Sequence, residues 1–245
     1  MIEIHDVIKI YRQESESLFI PALRGINLTI QKGNIYVLIG PSGSGKSTLI
    51  KLIAGFDTPS SGRITHEGIG RIDQLKGRKL DYYHRELLGF VFQYPHMNLM
   101  NHLSVYENVL FPLRISSKYT ISESKDRVIK LLQILDIQDK KDSKPSELSG
   151  GEALRVSIAI ALANNPPLVI ADEPTGELDS ENSYKLRNYI QKINKTWDTT
   201  FIIVTHDERF KNIADFVFKI RDGYINEKPN KNIIKNLSDV DNLEV

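Results

Sequence analysis

The chain has 245 residues, with 32 Lys and Arg against 31 Asp and Glu, a formal net charge of +1. That balance demands no basic face for duplex nucleic acid, so no nucleic-acid partner is expected. Cysteine is absent, which removes disulfides, thiolate metal sites, iron–sulfur clusters and thiol nucleophiles together. Apolar residues at 40% and charged residues at 26% fit an ordinary globular chain. No apolar run approaches the roughly 18 residues of a membrane span, and MIEIHDVIKIYRQ lacks a signal-peptide profile. The expectation is a cytoplasmic protein.

In chain order, residues 2–11, 25–30 and 34–39 read as strands, with Lys32-Gly33 as a turn. SGRITHEG at 61–68 reads as a further short strand between glycines. Between about 94 and 165 the period becomes helical. Ser104 with Glu107, Thr120 with Glu123 and Ser149 with Glu152 each have capping-box spacing. Behind the second box, Val128, Leu131, Leu132 and Leu135 fall at i, i+3, i+4 and i+7, one apolar face. LVIADE at 168–173 and TFIIVTHD at 200–207 are apolar runs suited to parallel strands buried on both faces, and ENSYKLRNYIQKINK between them reads as a crossover helix. Asp222-Gly223 marks a hairpin in FVFKIRDGYINE, and 228–245 reads as a loosely held polar tail.

Residues 40–48 are GPSGSGKST, matching the phosphate-loop pattern G-x-x-x-x-G-K-[ST], with a strand before and a helix-forming segment after. Phosphate oxygens need many donors at close range. Glycines let backbone N–H groups converge on them, and the helix start adds its positive end. Lys46 reaches the β- and γ-phosphates in this reading, and the Ser47 hydroxyl ligates Mg²⁺. A mere glycine turn is the plainer alternative; the flanking elements weigh against it. Asn194-Lys195 precedes Asp198 one residue out of register for a guanine-reading motif, which favours ATP.

Asp172 and Glu173 close a buried run, where one acid can hold the metal through water and the next can activate the attacking water. KPSELSGGEALR at 144–155 offers a second anion-binding helix start, or simply a serine cap on a glycine turn. If it binds phosphate, it serves either a second nucleotide or one held by another copy of the chain.

Taken as a set, GPSGSGKST, Gln93, LSGGE, LVIADE, ELDS and His206 resemble the ATP-binding subunits of ABC transporters over residues 1 to about 227. GFVFQYPHMNL, ENVLFPL, ALANNPPLVIADEPTGELDS and VTHD are most similar to the lipoprotein-releasing and macrolide-export branch. The resemblance implies an α/β P-loop NTPase with a parallel-sheet core, an N-terminal antiparallel β subdomain and an inserted α-helical subdomain at about 94–165. Tyr11 would stack on adenine, the alternative being an ordinary half-buried strand tyrosine. Gly40, Pro41, Ser42, Gly43, Ser44, Gly45, Lys46, Ser47 and Thr48 would wrap the triphosphate. Ser47, Gln93 and Asp172 would hold Mg²⁺, Asp172 through water. Glu173 would be the general base, with Lys46 and His206 on the γ-phosphate. Ser149, Gly150, Gly151, Glu152 and Asp179 would close on the ATP of a second ATPase subunit, a homodimer being what the resemblance implies.

The sequence departs from the family pattern at Glu152, where many members carry Gln, at Ala153-Leu154, a pair that is usually polar, and at Ile160, often Arg. The last three put helix-surface contacts in question. Met97 and Met100, with Leu99 and Leu103, mark residues 93–103 as the place where an integral membrane subunit docks, methionine being adaptable to irregular surfaces; core packing under the insert is the competing explanation. Function divides into a transport ATPase on the inner face of the cell membrane, a nucleotide-switched regulator without transport, and a soluble DNA-repair or chromosome ATPase. The last requires a long coiled coil between the motif clusters, and only 94–147 separates them.

Overall fold

The computed structural model describes residues 1–13, 18–116, 118–176 and 178–227. The polar tail expected at 228–245 lies outside them. β1 (Ile2–Gln13) and β2 (Leu18–Ile30) pair antiparallel from Ile2 opposite Ile30 to Gln13 opposite Leu18. β2 therefore starts seven residues before the strand read at 25–30. Pro21 argues for a break there, but β2 is an edge strand, in the order β2-β1-β4-β5, where a missing N–H costs no ladder bond. The register skips at Ala22, since Lys9 faces Leu23 and Ile10 faces Pro21. β4 (Ser61–His66) and β5 (Gly70–Arg71) complete this sheet.

The Lys32-Gly33 turn carries the chain out of that sheet into a second one. Its order is β10-β9-β3-β8-β7-β6. β3 (Ile35–Ile39), β6 (Leu88–Val91), β7 (Leu168–Asp172), β8 (Thr200–Val204) and β9 (Phe216–Arg221) run parallel. β3, β7 and β8 are buried at all five positions, as apolar runs covered on both faces must be. Their residues alternate between two cores: Ile35, Val37 and Ile39 pack with the helical layer, while Tyr36 and Leu38 pack with the antiparallel sheet. β10 (Tyr224–Glu227) returns antiparallel after Asp222 and Gly223, both at positive φ (52° and 80°), a turn matched to strand twist.

β6 carried no strand signal. It is four residues long, and its Gly89 meets the insert so closely that a Cβ would sit 2.3 Å from the Ala161 carbonyl oxygen. α1 (Lys46–Ile53) follows β3, and α2 (Arg78–Tyr82) runs into a π-helical turn at 83–87 before β6. The insert holds α3 (Val105–Ile115), α4 (Ile121–Ile134) and α5 (Gly150–Leu162), each started by the capping box read from sequence. Val128, Leu131, Leu132 and Leu135 are all fully buried. α6 (Ser180–Trp197) crosses from β7 to β8, capped by Asp179.

Candidate functional site

The phosphate loop links β3 to α1, and its glycines are forced by close approach. A Cβ on Gly40 would lie 2.1 Å from the Ile220 carbonyl oxygen, and one on Gly45, at φ 104°, would lie 2.5 Å from that of Ala22. The extra residue in β2 is thus where the antiparallel sheet touches the loop. Gly45 caps α1 without any side-chain hydrogen bond, and no acidic residue occupies the first turn. By contrast, Ser104, Thr120, Ser149 and Asp179 cap α3, α4, α5 and α6 with side-chain oxygens. The first-turn N–H groups of α1 are left for an anion. Lys46, 7% exposed, lies across the loop and donates to the Gly40 and Pro41 carbonyls at 2.8 and 2.9 Å.

Residues 40–48, Ala22, Gln93, Glu173, Gly176 and His206 line one groove of about 570 Å³. Asp172 sits one layer behind. Ser47 Oγ donates to Asp172 Oδ1 at 3.2 Å. Burial pushes the Asp172 carboxyl up; the Ser47 bond opposes this, and the Glu173 charge adds to the rise. Hydroxyl, carboxylate and the Gln93 amide form an all-oxygen donor set of the kind a hard divalent cation takes, so these residues fit Mg²⁺.

Glu173 has left-handed backbone, φ 47°, and its N–H donates to Val204 O at 2.8 Å. This twist costs on the order of 1–3 kcal/mol. It falls where β7 ends, and Glu173 lines the groove while Asp172 bonds Ser47 behind it. Glu173 Oε2 accepts from the His206 N–H at 3.2 Å and lies 2.9 Å from its ring Nδ1. Behind His206, Asp207 accepts from Ser183 Oγ on α6 at 2.9 Å and from Arg209 Nε and Nη2 at 2.8 and 2.9 Å. The two ends of the site, after β7 and after β8, are thereby tied together.

Tyr11 stands at the far edge, outside the groove lining. Its hydroxyl donates to Asp57 Oδ2 at 2.9 Å and approaches the Thr48 hydroxyl. Burial foremost, then the Asp57 bond, raises its pKa. The remaining site residues do not join this groove. Ser149 N–H and Oγ both donate to Glu152 Oε2, at 2.8 and 2.9 Å, and Lys140 Nζ approaches Glu152 Oε1 at 3.4 Å. The bonds from Ser149 first, then Lys140, hold the Glu152 carboxyl below its ordinary range. Asp179 accepts from the Asn182 N–H at 2.7 Å, and a Cβ on Gly151 would lie 3.4 Å from Asn182 Cγ. Ser149, Gly150 and Asp179 are exposed.

Two expectations need correction. Ala153 and Leu154 are 0% and 2% exposed, so the departure from a polar pair fills the core and alters no surface contact. Leu99 is 8% exposed within the same core, so it is unavailable to a docking partner, whereas Met97 is 64% exposed. Asp57 and Asp207 were missed. Asp207 closes the VTHD motif, but the roles of both come from partners 46 and 24 residues away.

A glycine loop feeding an uncapped helix, a buried Ser–Asp pair and a carboxylate aimed at the loop define a P-loop cassette that cleaves nucleoside triphosphates. Comparison with known proteins agrees. The family model described as "ABC transporter" matches residues 23–176. The dimeric cassette MJ0796 of Methanocaldococcus jannaschii, solved in a post-hydrolysis state bound to ADP and Pi, superposes with a TM-score of 0.85 at 34% identity over 94% of this chain and 99% of that one. The lipoprotein-releasing system ATP-binding protein LolD of Buchnera aphidicola is 40% identical over 215 residues, 88% of this chain and 91% of its own. The macrolide export ATP-binding/permease protein MacB of Syntrophobacter fumaroxidans is 38% identical over 226 residues, 92% of this chain but 31% of its own. The chain belongs to the ABC transporter family, as its ATP-binding and ATP-hydrolysing subunit.

Proposed function

We propose that two copies of this chain clasp two ATP head to tail and drive a separate membrane subunit of the lipoprotein-releasing or macrolide-export type. One observation carries the reading. Ser149, Gly150 and Asp179 are exposed, with Gly151 and Glu152 half-buried beside them, and all five lie outside the groove that holds the phosphate loop, Gln93, Glu173 and His206. The α5 start, capped by Ser149, has no phosphate loop of its own, and the family resemblance pairs it with a nucleotide held by another copy. The cassette spans 1–227 with its helical insert at about 94–165, and it works against the inner face of the cell membrane.

Within the groove, backbone N–H groups of 40–48 and the Lys46 ammonium cradle the triphosphate. Ser47, Gln93 and, through water, Asp172 would hold Mg²⁺, which would neutralise charge on the phosphate oxygens when bound. Glu173 Oε2 takes the proton of the attacking water, and His206, at 2.9 Å, orients that carboxylate and meets the γ-phosphate. Tyr11 stacks on the base. Exposed Met97, beside Gln93, meets the membrane subunit.

Glu173→Gln tests the shared site. It keeps the shape of the side chain but accepts no proton, so ATP binds, turnover falls at least ~100-fold and a dimer accumulates on a sizing column. A variant that remains monomeric at saturating ATP refutes the clasp.

A further inference from the structure

We propose that Lys9 and Asp57 are positioning residues for ATP: they clamp the Tyr11 ring so that one face is closed and the other is presented to the nucleotide base. The proposal rests on the reading of Tyr11 as the base platform.

Lys9 and Tyr11 are two residues apart on β1, so their side chains leave the same face of the strand. The Lys9 ammonium lies 4.8 Å from the centre of the Tyr11 ring. It is held there from the other side, donating to Asp57 Oδ1 at 2.7 Å and to the Thr58 carbonyl at 2.8 Å. Asp57 is fixed in turn, because Oδ1 also accepts from the Thr58 N–H at 2.7 Å. Its other oxygen, Oδ2, accepts from the Tyr11 hydroxyl at 2.9 Å. The ring is therefore gripped at its tip and covered on one face, while the residue as a whole stays 39% exposed. Lys9, at 12% side-chain exposure, is too enclosed to serve as a solvated surface charge.

The arrangement has two consequences for binding a planar base. A tyrosine anchored at its hydroxyl loses little further freedom on stacking, so less of the stacking energy is spent on ordering it. An ammonium behind the ring also draws on its π electrons. That leaves the open face better suited to the electron-rich face of a purine. Both effects act on the base alone and leave the triphosphate contacts at 40–48 untouched.

The test compares ATP with inorganic tripolyphosphate, which has the charge but no base, by calorimetric titration of the full chain with Mg²⁺ present. Lys9→Met and Asp57→Asn are each expected to weaken ATP roughly 3- to 10-fold. Tripolyphosphate binding is expected to stay the same, and Lys9→Arg to restore ATP. Combined with Tyr11→Ala, neither substitution adds a further loss. Equal weakening of both ligands overturns the clamp, because the loop rather than the base contact has then been disturbed. Unchanged ATP affinity in Lys9→Met and Asp57→Asn, with a loss in Tyr11→Ala, overturns the clamp and leaves the platform standing. No loss in Tyr11→Ala removes the platform itself. Should either clamp variant fail to fold, Tyr11→Phe deletes only the hydroxyl held by Asp57 and reads the same quantity.

Discussion

Asp207 is where a single atom change reaches both stability and the site. Its carboxylate is 9% exposed and sits between α6 and the turn after β8. Burial alone raises its pKa, but the bonds from Arg209, then from Ser183, overcome this and hold it at about 2 against an ordinary 3.8. That difference is worth about 2.4 kcal/mol of folding stability at neutral pH. Arg209 is 47% exposed on its side chain, so solvent screening brings the figure nearer about 2 kcal/mol. Asp207→Asn keeps the shape and the Ser183 contact but removes the charge. For a chain of this size it should lower the melting temperature by about 4–8 °C at pH 7. The sign follows from the depressed native value. The contribution is complete above about pH 5, is about half gone at pH ~3, and is lost as pH falls through about 2 toward ~1. Thermal melts of both proteins by circular dichroism at several pH values measure it. A shift under ~2 °C at pH 7, or one that stays the same size in acid, refutes the reasoning.

Two further outcomes can be checked directly. Ser149→Ala removes the side-chain cap of α5, costing about 1 kcal/mol in a chemical-denaturation midpoint, and it abolishes the ATP-dependent dimer without lowering ATP affinity of the single chain; a dimer of normal stability would contradict the shared site. Met97→Asp places a charge on a side chain that is 64% exposed, so ATP affinity stays the same while stimulation of ATPase activity by the membrane subunit in reconstituted vesicles is lost. Met100 is a poorer probe than the sequence suggests, since it is half-buried.

Much of this molecule is written locally. A capping box needs only residues three apart, and all three boxes read from sequence form with Ser104, Thr120 and Ser149 as caps. The apolar face of α4 follows from its period, and β7 and β8 from the run of residues that both faces of a parallel sheet bury. The phosphate loop is legible for the same reason: nine consecutive residues carry both the backbone freedom and the donors.

What the sequence left open depends on partners distant along the chain. Only folding brings Ala22 against Gly45, which sets the antiparallel sheet beside the phosphate loop and Tyr11 beside Thr48. β6 is a strand because β7 offers it a ladder, and Pro21 is tolerated because β2 lies at an edge. Leu99 and Met97 look alike in sequence, yet one fills the core and the other faces solvent. The left-handed backbone at Glu173 is accompanied by a hydrogen bond to Val204 on the neighbouring strand, a contact that only folding supplies. Short-range pattern determines which elements and which chemistry are present; the pairing of surfaces far apart in the chain decides which groups meet, because burial and hydrogen-bond satisfaction are settled only when those surfaces close.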